Sequence, residues 1–479
     1  MSSRTSAPST GRRAGPLMEF VHRSRRGAEL FLLVLSLAVG IGAYAAVGLG
    51  AQGKVPPDIL TYGGILTVLV LAAHVTVRIK AAYADPILLP IVSALNGLGL
   101  AMIHRIDLGL KARHPDQHEF APSQLMWMTL GVAGFIVVLV AIRDHRRLQA
   151  FTYTAGFSAL VLLLLPLLPG IGKSVNGARI WIGVGGFSFQ PGEIAKLLLV
   201  IAFAGYLVLY RDALALAGRR VLFVDLPRGR DLGPILAMWL VSLGILVFQN
   251  DLGSSLLFFG LFLVMLYVST ERPGWLIVGG AMFAVGAYLG YLATAHVQVR
   301  VAAWLHPFAN LPHGGDAKPG TYQLRQGLFG MGWGGLTGRG FGQGAPQTTP
   351  ISWSDFILPS LGEELGLTGV IAIILLYALI VERGLRTALI CRDNFGKLVA
   401  TGLATVFALQ VFVVIGGVTK LIPLTGLTTP FLSQGGSSLV ANWALIALLI
   451  RVSDQARRPP PEFFDEGADM DATQVVSLR

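Results

Sequence analysis

Uninterrupted apolar runs constrain this chain more than any other feature. Stretches of 17 or more apolar residues recur along its 479 residues, 53% of which are hydrophobic. Each can cross the roughly 30 Å hydrocarbon layer as a helix. In lipid only helices and closed barrels satisfy every backbone polar group. The expected fold class is therefore an all-α polytopic membrane protein. Spans are predicted at 27–49, 58–78, 85–104, 123–142, 148–169, 191–210, 233–249, 252–270, 273–294, 364–384, 398–417 and 434–452, about twelve in all. Two pairs of neighbours are split at "QNDLGSS" and "STERPG", because charge is costly at the bilayer centre.

The net charge of +11 sits in short clusters between spans, without the aromatic interleaving of a single-strand binder. Nucleic acid is therefore not the expected partner; the membrane is, through anionic headgroups. With the N-terminus inside, segments such as "HRSRR", "RDHRR" and "RVSDQARR" place about two-thirds of the Lys and Arg on the cytoplasmic face, as the positive-inside rule expects. Both termini are then cytoplasmic, in a multi-pass protein of the cytoplasmic (inner) membrane. Loops around 105–122, 170–190, 295–363 and 418–433 face outward, the third a large extracytoplasmic loop. The first 26 residues are polar and basic, and the apolar stretch after them is followed by no small-residue cleavage site, so a signal peptide is not expected. The polar tail after Arg458 is expected to be disordered. The single cysteine, Cys391, rules out an internal disulfide and reads as a bystander, having no sequence-local His or second Cys.

Six outward stretches hold most polar residues near membrane level: "NGARIWIGVGGFSFQPGEIAKL", "QNDLGSS", "RVAAWLHPF", "YQLRQGLFGMGWGGLTGRGFG", "SDFILPSLGEELG" and "TKLIPLTGLTTPFLSQGGSS". None contains a P-loop, HExxH, GxSxG or dinucleotide fingerprint. Lys173, Arg179, Arg300, Arg325, Arg339 and Lys420 are cations on the face that disfavours them, the pattern expected of residues that meet an anion. Lys196 and Glu193 read either as an i,i+3 ion pair or as part of such a site. Asp251 is placed to cap the helix opening at "LGSS". "GGSS" at 435–438 is either a turn with a helix start or a set of donors for phosphate. Glu363 and Glu364 are read as carboxylates near a helix N-terminus, stabilised by its dipole. Asp355 has no sequence-local base and is either an N-cap for "FILPSLG" or a general base among cations.

At these stretches the chain resembles the SEDS family (shape, elongation, division and sporulation), whose members include RodA and FtsW. The resemblance runs from about 85 to 455 and rests on "NGARIWIGVGGFSFQPGEIAKL", "QNDLGSS", "SDFILPSLGEELG" and "PFLSQGGSS". It divides the chain into a basic cytoplasmic N-terminus (1–26), about two extra N-terminal transmembrane helices (27–84), a SEDS-like core of ten spans (85–455) and a cytoplasmic tail (456–479). It also implies a peptidoglycan glycosyltransferase that polymerises lipid II into β-1,4 glycan strands, partnered by a class B penicillin-binding protein. The family's essential loop aspartate falls on Asp355 and its loop tryptophan on Trp181. Glu193, Lys196, Asp251 and the turn Gly435, Gly436, Ser437 and Ser438 match other motif positions, with Ser433 in the same stretch. Gly192, Gln434 and Ile351 stand where the family usually has Ser, Tyr and Glu. The extra spans and short tail lean towards an elongation enzyme of the RodA-like actinobacterial type rather than a division enzyme.

The implied reaction needs Asp355 to take a proton from the acceptor hydroxyl, and cations to stabilise the leaving diphosphate. Lys196 and Arg179 are the first candidates for the second task, then Arg300, Arg325, Arg339 and Lys420. One base without a second carboxylate nucleophile implies inversion, by analogy with glycosidases. A divalent cation bridging Asp355 or Asp251 to diphosphate is conceivable chemistry, but no ligand cluster demands it and no metal site is assigned. Two other classes compete: a lipid II flippase or transporter, which would need charged groups in mid-span, and a non-catalytic scaffold for the penicillin-binding protein, which would tolerate loss of Asp355.

Overall fold

The structure, a computed structural model, describes residues 24–175, 177–184, 187–211, 219–221, 224–226, 229–308 and 319–459. The predicted disordered tail and most of the basic N-terminus lie outside these residues. Helices α1 (Arg26–Gln52) and α2 (Ile59–Lys80) form an antiparallel hairpin. There follow α3 (Leu88–Arg113), α4 (Ala121–Ala141), α5 (Thr152–Leu164), α6 (Gly192–Leu209), α7 (Gly229–Phe248), α8 (Leu252–Thr270) and α9 (Gly274–Ala293). The chain then continues through α10 (Ala295–Leu305), α11 (Pro319–Gly334), α12 (Ile357–Ile390), α13 (Asn394–Val418) and α14 (Gly436–Arg457). Among the described residues 11 helices are long and apolar enough to cross a membrane, and α7 adds a shorter apolar stretch, Gly233–Phe248. Each predicted span falls on one of these. Successive spans run antiparallel, so the described chain enters and leaves the bundle at the end opposite residue 355.

Burial sorts the helices into an inner and an outer set. The apolar stretches of α3 and α14 are 89% buried, whereas that of α9 is 6% buried. Outward faces carry Phe31, Leu60, Phe157, Phe248, Ile277 and Leu389, a surface suited to hydrocarbon rather than to water. The α1–α2 hairpin is fastened to the inner set at several levels. Glu29, fully buried, pairs with Arg26 and with His74 of α2, and Arg26 also donates to the carbonyls of Ala82 and Ala84. At mid-height Gly40 and Gly97 meet so closely that a Cβ on Gly97 would lie 2.8 Å from Gly40 Cα. Nearer the Asp355 end, Tyr44 stacks on Tyr62 at 3.8 Å and packs at a tilt against His104 of α3, 4.5 Å between ring centroids.

Three segments depart from the expectation of helices and plain loops. Residues 172–189 add an antiparallel sheet to the helical fold, ordered β1 (Gly172–Val175), β2 (Ala178–Val184), β3 (Phe187–Phe189). Its sequence "ARIWIGV" places bulky residues at alternate positions, the period of a half-buried strand. A second small hairpin pairs β4 (Arg219–Val221) with β5 (Val224–Leu226). The expected long loop 295–363 holds, among its described residues, α10, α11 and the first turns of α12. These helices are too short or too polar to span, but α11 packs Leu324 inward and sets Gly327 against Phe356 and Pro359.

Beyond these three, α12 itself is broken at Gly366 (φ 70, ψ −173). Glu363 and Glu364 therefore close the first, short segment rather than opening the long one. The dipole argument made for them from sequence fails, since they stand at the C-terminal end of that segment. The break leaves helix-end groups without intrahelical partners, and the glycine-rich loop supplies them. Leu367 and Thr368 amides donate to the carbonyls of Gly335 (2.9 Å) and Leu336 (3.1 Å). In return the amides of Arg339 and Gly340 donate to the carbonyls of Glu363 (3.1 Å) and Glu364 (2.9 Å). A side chain on Gly366 would strike the Gly338 amide and the Leu336 carbonyl, so the loop has room only because residue 366 is glycine.

The Gly40–Gly97 crossing yields a prediction. Gly97→Val forces the two backbones apart and should destabilise the protein by about 1–3 kcal/mol, the usual cost of overpacking. Thermal unfolding of the purified protein in detergent measures this, and an unchanged midpoint would show that the helices do not cross there.

Candidate functional site

Asp355 lies in the turn that precedes α12. It does not cap that helix: Phe356 occupies the N-cap position and no side chain caps it. The carboxylate is partly buried, accepting from Ser354 Oγ at 3.1 Å. Ser433 holds this turn in place, its hydroxyl donating to the Ser354 carbonyl (2.7 Å) and accepting from the Thr429 amide (2.8 Å). Further support comes from the Gln434 amide to the Trp353 carbonyl (2.8 Å) and from Trp353 stacked on Phe120 at 4.3 Å. Gln323 of α11 donates to the Pro350 carbonyl at 2.9 Å. Ile351, next in the chain, takes φ 55, a left-handed conformation that a β-branched residue holds only where its surroundings impose it.

The cation nearest in character to this carboxylate is Arg300, on α10. Its Nη1 donates to the carbonyls of Leu424 (2.9 Å) and Thr425 (2.6 Å), which ties α10 to the loop between α13 and α14. Gly426 follows, with φ 78. A Cβ at Gly426 would stand 3.4 Å from Arg300 Nη2 and 3.7 Å from Asp355 Oδ2, so guanidinium and carboxylate face one small volume above this glycine. Any larger residue there would fill it and strain the backbone. Burial pushes Asp355 up to about 6, with Ser354 and Arg300 acting in the opposite direction. Asp251 is also raised by burial, opposed by its Ser254 contacts and by Arg300. Arg300 is lowered by burial and raised again by Asp251 and Asp355, so it lies within electrostatic reach of both acids.

Several sequence candidates fall into this neighbourhood with a defined structural task. Asp251 caps α8, Oδ1 accepting from the Ser254 amide at 3.0 Å. Glu193 and Lys196 form the i,i+3 pair at 2.5 Å, and Lys196 Nζ also donates to Gln410 Oε1 at 2.8 Å. Gln410 in turn donates to the Thr428 carbonyl at 3.0 Å. Lys196 is 2% exposed, so its ammonium is spent on internal partners beneath the 419–435 loop. Gly435 is the N-cap of α14 and Gly436 its first residue. Ser437 Oγ accepts from the Gln190 amide at 2.9 Å, while Ser438 takes part in contacts with Gln410 and Asn442. The "GGSS" stretch thus realises its helix-start reading.

The contacts of the other candidates are made with partners other than Asp355. Arg179 lies on β2, donating to the Leu168 carbonyl at 3.2 Å, and Trp181 is paired in register with Lys173 of β1. The sheet reaches the α7–α8 turn through the Arg179 amide and the Gln249 carbonyl (3.0 Å). Arg339 is exposed and lies over the Trp333 ring at 4.4 Å; Arg325 lies 5.6 Å from the Tyr322 ring centroid. Lys420 is exposed, and its carbonyl accepts from Trp304 Nε1 at 3.0 Å.

Sequence reasoning missed Arg105 and Gln410; Gln410, a lone polar residue in an apolar run, carried a signal, whereas Arg105 sits beside His104 and Asp107 at a polar span end. Arg105 Nε donates to Glu364 at 2.8 Å and Nη2 to the Gly344 carbonyl at 2.6 Å. Glu364 also accepts from the Gly342 amide at 3.0 Å, and Glu363 from the Ala345 amide at 2.7 Å. The carboxylates thus clamp the glycine-rich loop that leads to Asp355.

Among the described residues one group could hold a metal ion: His145, Cys391 and Asp393. It lies at the opposite end of the bundle. The fold gives Cys391 the His neighbour that the sequence hid, because the turn after α4 packs against the turn after α12. Asp393 there already caps α13 through the Gly396 amide (2.7 Å) and pairs with His145 (3.1 Å) and Arg146 (3.4 Å). These contacts hold its carboxyl below the ordinary range despite burial, while burial and Asp393 push the Cys391 thiol up to about 12.

Fold and site together define a multi-pass membrane protein with a partly buried carboxylate and a guanidinium at one end of its bundle. Residues 86–458 match the cell cycle protein family of FtsW, RodA and SpoVE. The peptidoglycan glycosyltransferase RodA of Mycobacterium tuberculosis is 47% identical over 437 residues, which is 91% of this chain and 92% of that one. A probable peptidoglycan glycosyltransferase FtsW of Geobacter metallireducens is 32% identical over 380 residues, 78% of this chain and 96% of that one. Among solved structures, a chain of a peptidoglycan synthase complex matches with TM-score 0.61 and 27% identity, covering 78% of this chain and 98% of that one. RodA of Thermus thermophilus matches with TM-score 0.51 and 27% identity, covering 79% and 98%. The chain belongs to the SEDS family, the cell cycle proteins that include RodA and FtsW.

The clamp at Glu364 predicts a cost for breaking it. Arg105→Met leaves a buried carboxylate without its cation and should destabilise by about 3–5 kcal/mol. Thermal unfolding in detergent reads the loss; a change under about 1 kcal/mol would mean that the pair is effectively solvated.

Proposed function

We propose that this protein, a peptidoglycan glycosyltransferase of the SEDS family, polymerises lipid II with Asp355 as its general base. The observation that carries the reading is the placement of Asp355 Oδ2 and Arg300 Nη2 over the bare backbone of Gly426. The acceptor's GlcNAc 4-hydroxyl attacks the anomeric carbon of the donor's MurNAc and gives its proton to Asp355. The C–O bond to undecaprenyl diphosphate breaks, and the leaving diphosphate carries away the electron pair. A base poised near neutrality is suited to so weak an acid, and burial moves Asp355 in that direction. Arg300 is the cation assigned to the developing diphosphate charge, since Lys196 is already spent on Glu193 and Gln410. Asp251 is committed to capping α8, which leaves Asp355 as the acid of this pair free to act and fits inversion from an α-linked donor to a β-1,4 glycan. Arg300 also stands in reach of both acids, so no step is assigned to a divalent cation.

The site end of the bundle is assigned to the outer face of the cytoplasmic membrane, with both termini inside. The concentration of Lys and Arg between spans at the other end supports this orientation. A class B penicillin-binding protein is the partner assigned, in line with the synthase complex that the fold resembles. Identity of 47% to a RodA against 32% to an FtsW favours the elongation role.

Gel-resolved polymerisation of labelled lipid II, with the partner present, tests the reading. Asp355→Asn keeps size and hydrogen bonding but removes the base, and should abolish polymer from a folded, partner-bound protein. Equal polymer from both proteins would end the general-base assignment. No polymer from either, with lipid II still bound, would favour a flippase or scaffold. The pH profile is a second test. Below about pH 6 the protonated acid cannot accept, so kcat should fall about tenfold per pH unit on that limb. Arg300→Gln removes a cation that favours the carboxylate, so the same limb should move to higher pH; a limb that stays in place would separate Arg300 from Asp355.

A further inference from the structure

The α1–α2 hairpin lies outside the residues that match the family, 86–458, and yet it touches the loop that carries the site. At the last turn of α1, the Gly50 carbonyl accepts from Gln343 Nε2 at 2.6 Å. A Cβ on Gly50 would overlap the carbonyl of Phe341, and one on Gly342 would overlap the Ala51 amide. The hairpin is therefore in backbone contact with residues 341–343. The same short segment is gripped from the other side by Arg105 and Glu364, through the Gly342 amide and the Gly344 carbonyl. From there the chain runs through Gln347, packed on Gly109, to Pro350, held by Gln323, and so to Asp355.

From this arrangement we infer that the N-terminal hairpin is a positioning element of the glycosyltransferase site. It sets the glycine-rich loop, and through it the Asp355 turn, from outside the family core. The loop has two walls, α1 on one side and the Arg105–Glu364 pair on the other. Displacing one wall frees a segment that has few side chains of its own to anchor it. The hairpin touches no reacting atom, so its loss should act on turnover rather than on substrate affinity. This inference rests on the proposed reaction for its kinetic consequence, but the contact itself can be measured without activity.

Gly50→Ala is the test variant, because its added methyl must push the Phe341 carbonyl away. Gly42→Ala is the control on the same helix, where an added Cβ meets nothing within 4 Å. Gln343→Ala removes the hydrogen bond without steric load and covers the case in which Gly50→Ala fails to fold. Hydrogen exchange of the full-length protein and lipid II polymerisation with the partner are the two readouts. Gly50→Ala should speed amide exchange across 338–349 and lower kcat roughly tenfold, with KM within about twofold, as expected for a misplaced catalytic group. Gln343→Ala should change both in the same direction but less, and Gly42→Ala should change neither. Wild-type exchange in that segment for both Gly50→Ala and Gln343→Ala would overturn the inference, as would faster exchange with unchanged kcat. A wild-type protein that makes no polymer would instead sink the proposed reaction, leaving the exchange comparison to decide whether the hairpin sets the loop.

Discussion

The break in α12 at Gly366 is the constraint on which the site depends. A helix crossing lipid must satisfy its own backbone groups, and a break is tolerated only where protein supplies the missing partners. Here the glycine-rich loop does so, lending carbonyls to Leu367 and Thr368 and amides to the carbonyls of Glu363 and Glu364. The exchange ties the loop to the helix as a strand is tied to a neighbour. Glu363 and Glu364 then bind loop amides, and Arg105 neutralises Glu364 from α3. The short segment before the break follows directly on the turn that holds Asp355.

The second wall of the site is the loop between α13 and α14. It is held by polar groups buried within the bundle: Lys196 bridges Glu193 and Gln410, and Gln410 donates to the Thr428 carbonyl. Ser433 joins the same loop to Ser354, beside Asp355. Buried polar networks rigidify when fully satisfied and are costly when broken. Glu193 and Lys196 thus fix the loop that carries Gly426 and Ser433. Arg300 completes the wall, spending one nitrogen on the Leu424 and Thr425 carbonyls and turning the other towards Asp355.

Legibility from sequence varied with the range of the interaction. The predicted spans fell on apolar helices because hydrophobic length is a local property. The Asp251 cap and the Glu193–Lys196 pair were also readable, since each involves partners within three residues. The sheet at 172–189 was legible in principle from the alternation in "ARIWIGV", but membrane-scale patterning overshadowed it. The role of Glu364 was misread because its partner, Arg105, is 259 residues away. Arg300 was one cation among several, and only the fold set it above Gly426 with Asp355.

The sequence by itself determined that this chain crosses a membrane many times, which loops share a face, and that Asp355 is an acid without a local base. These follow from hydropathy, charge placement and spacing, all of which are carried by neighbouring residues. Tertiary structure alone decided which cation meets Asp355, which are spent internally, and how the N-terminal hairpin reaches the loop. Those outcomes depend on helices far apart in the chain packing side by side, and on gaps at Gly50, Gly366 and Gly426 whose meaning lies in what fills them.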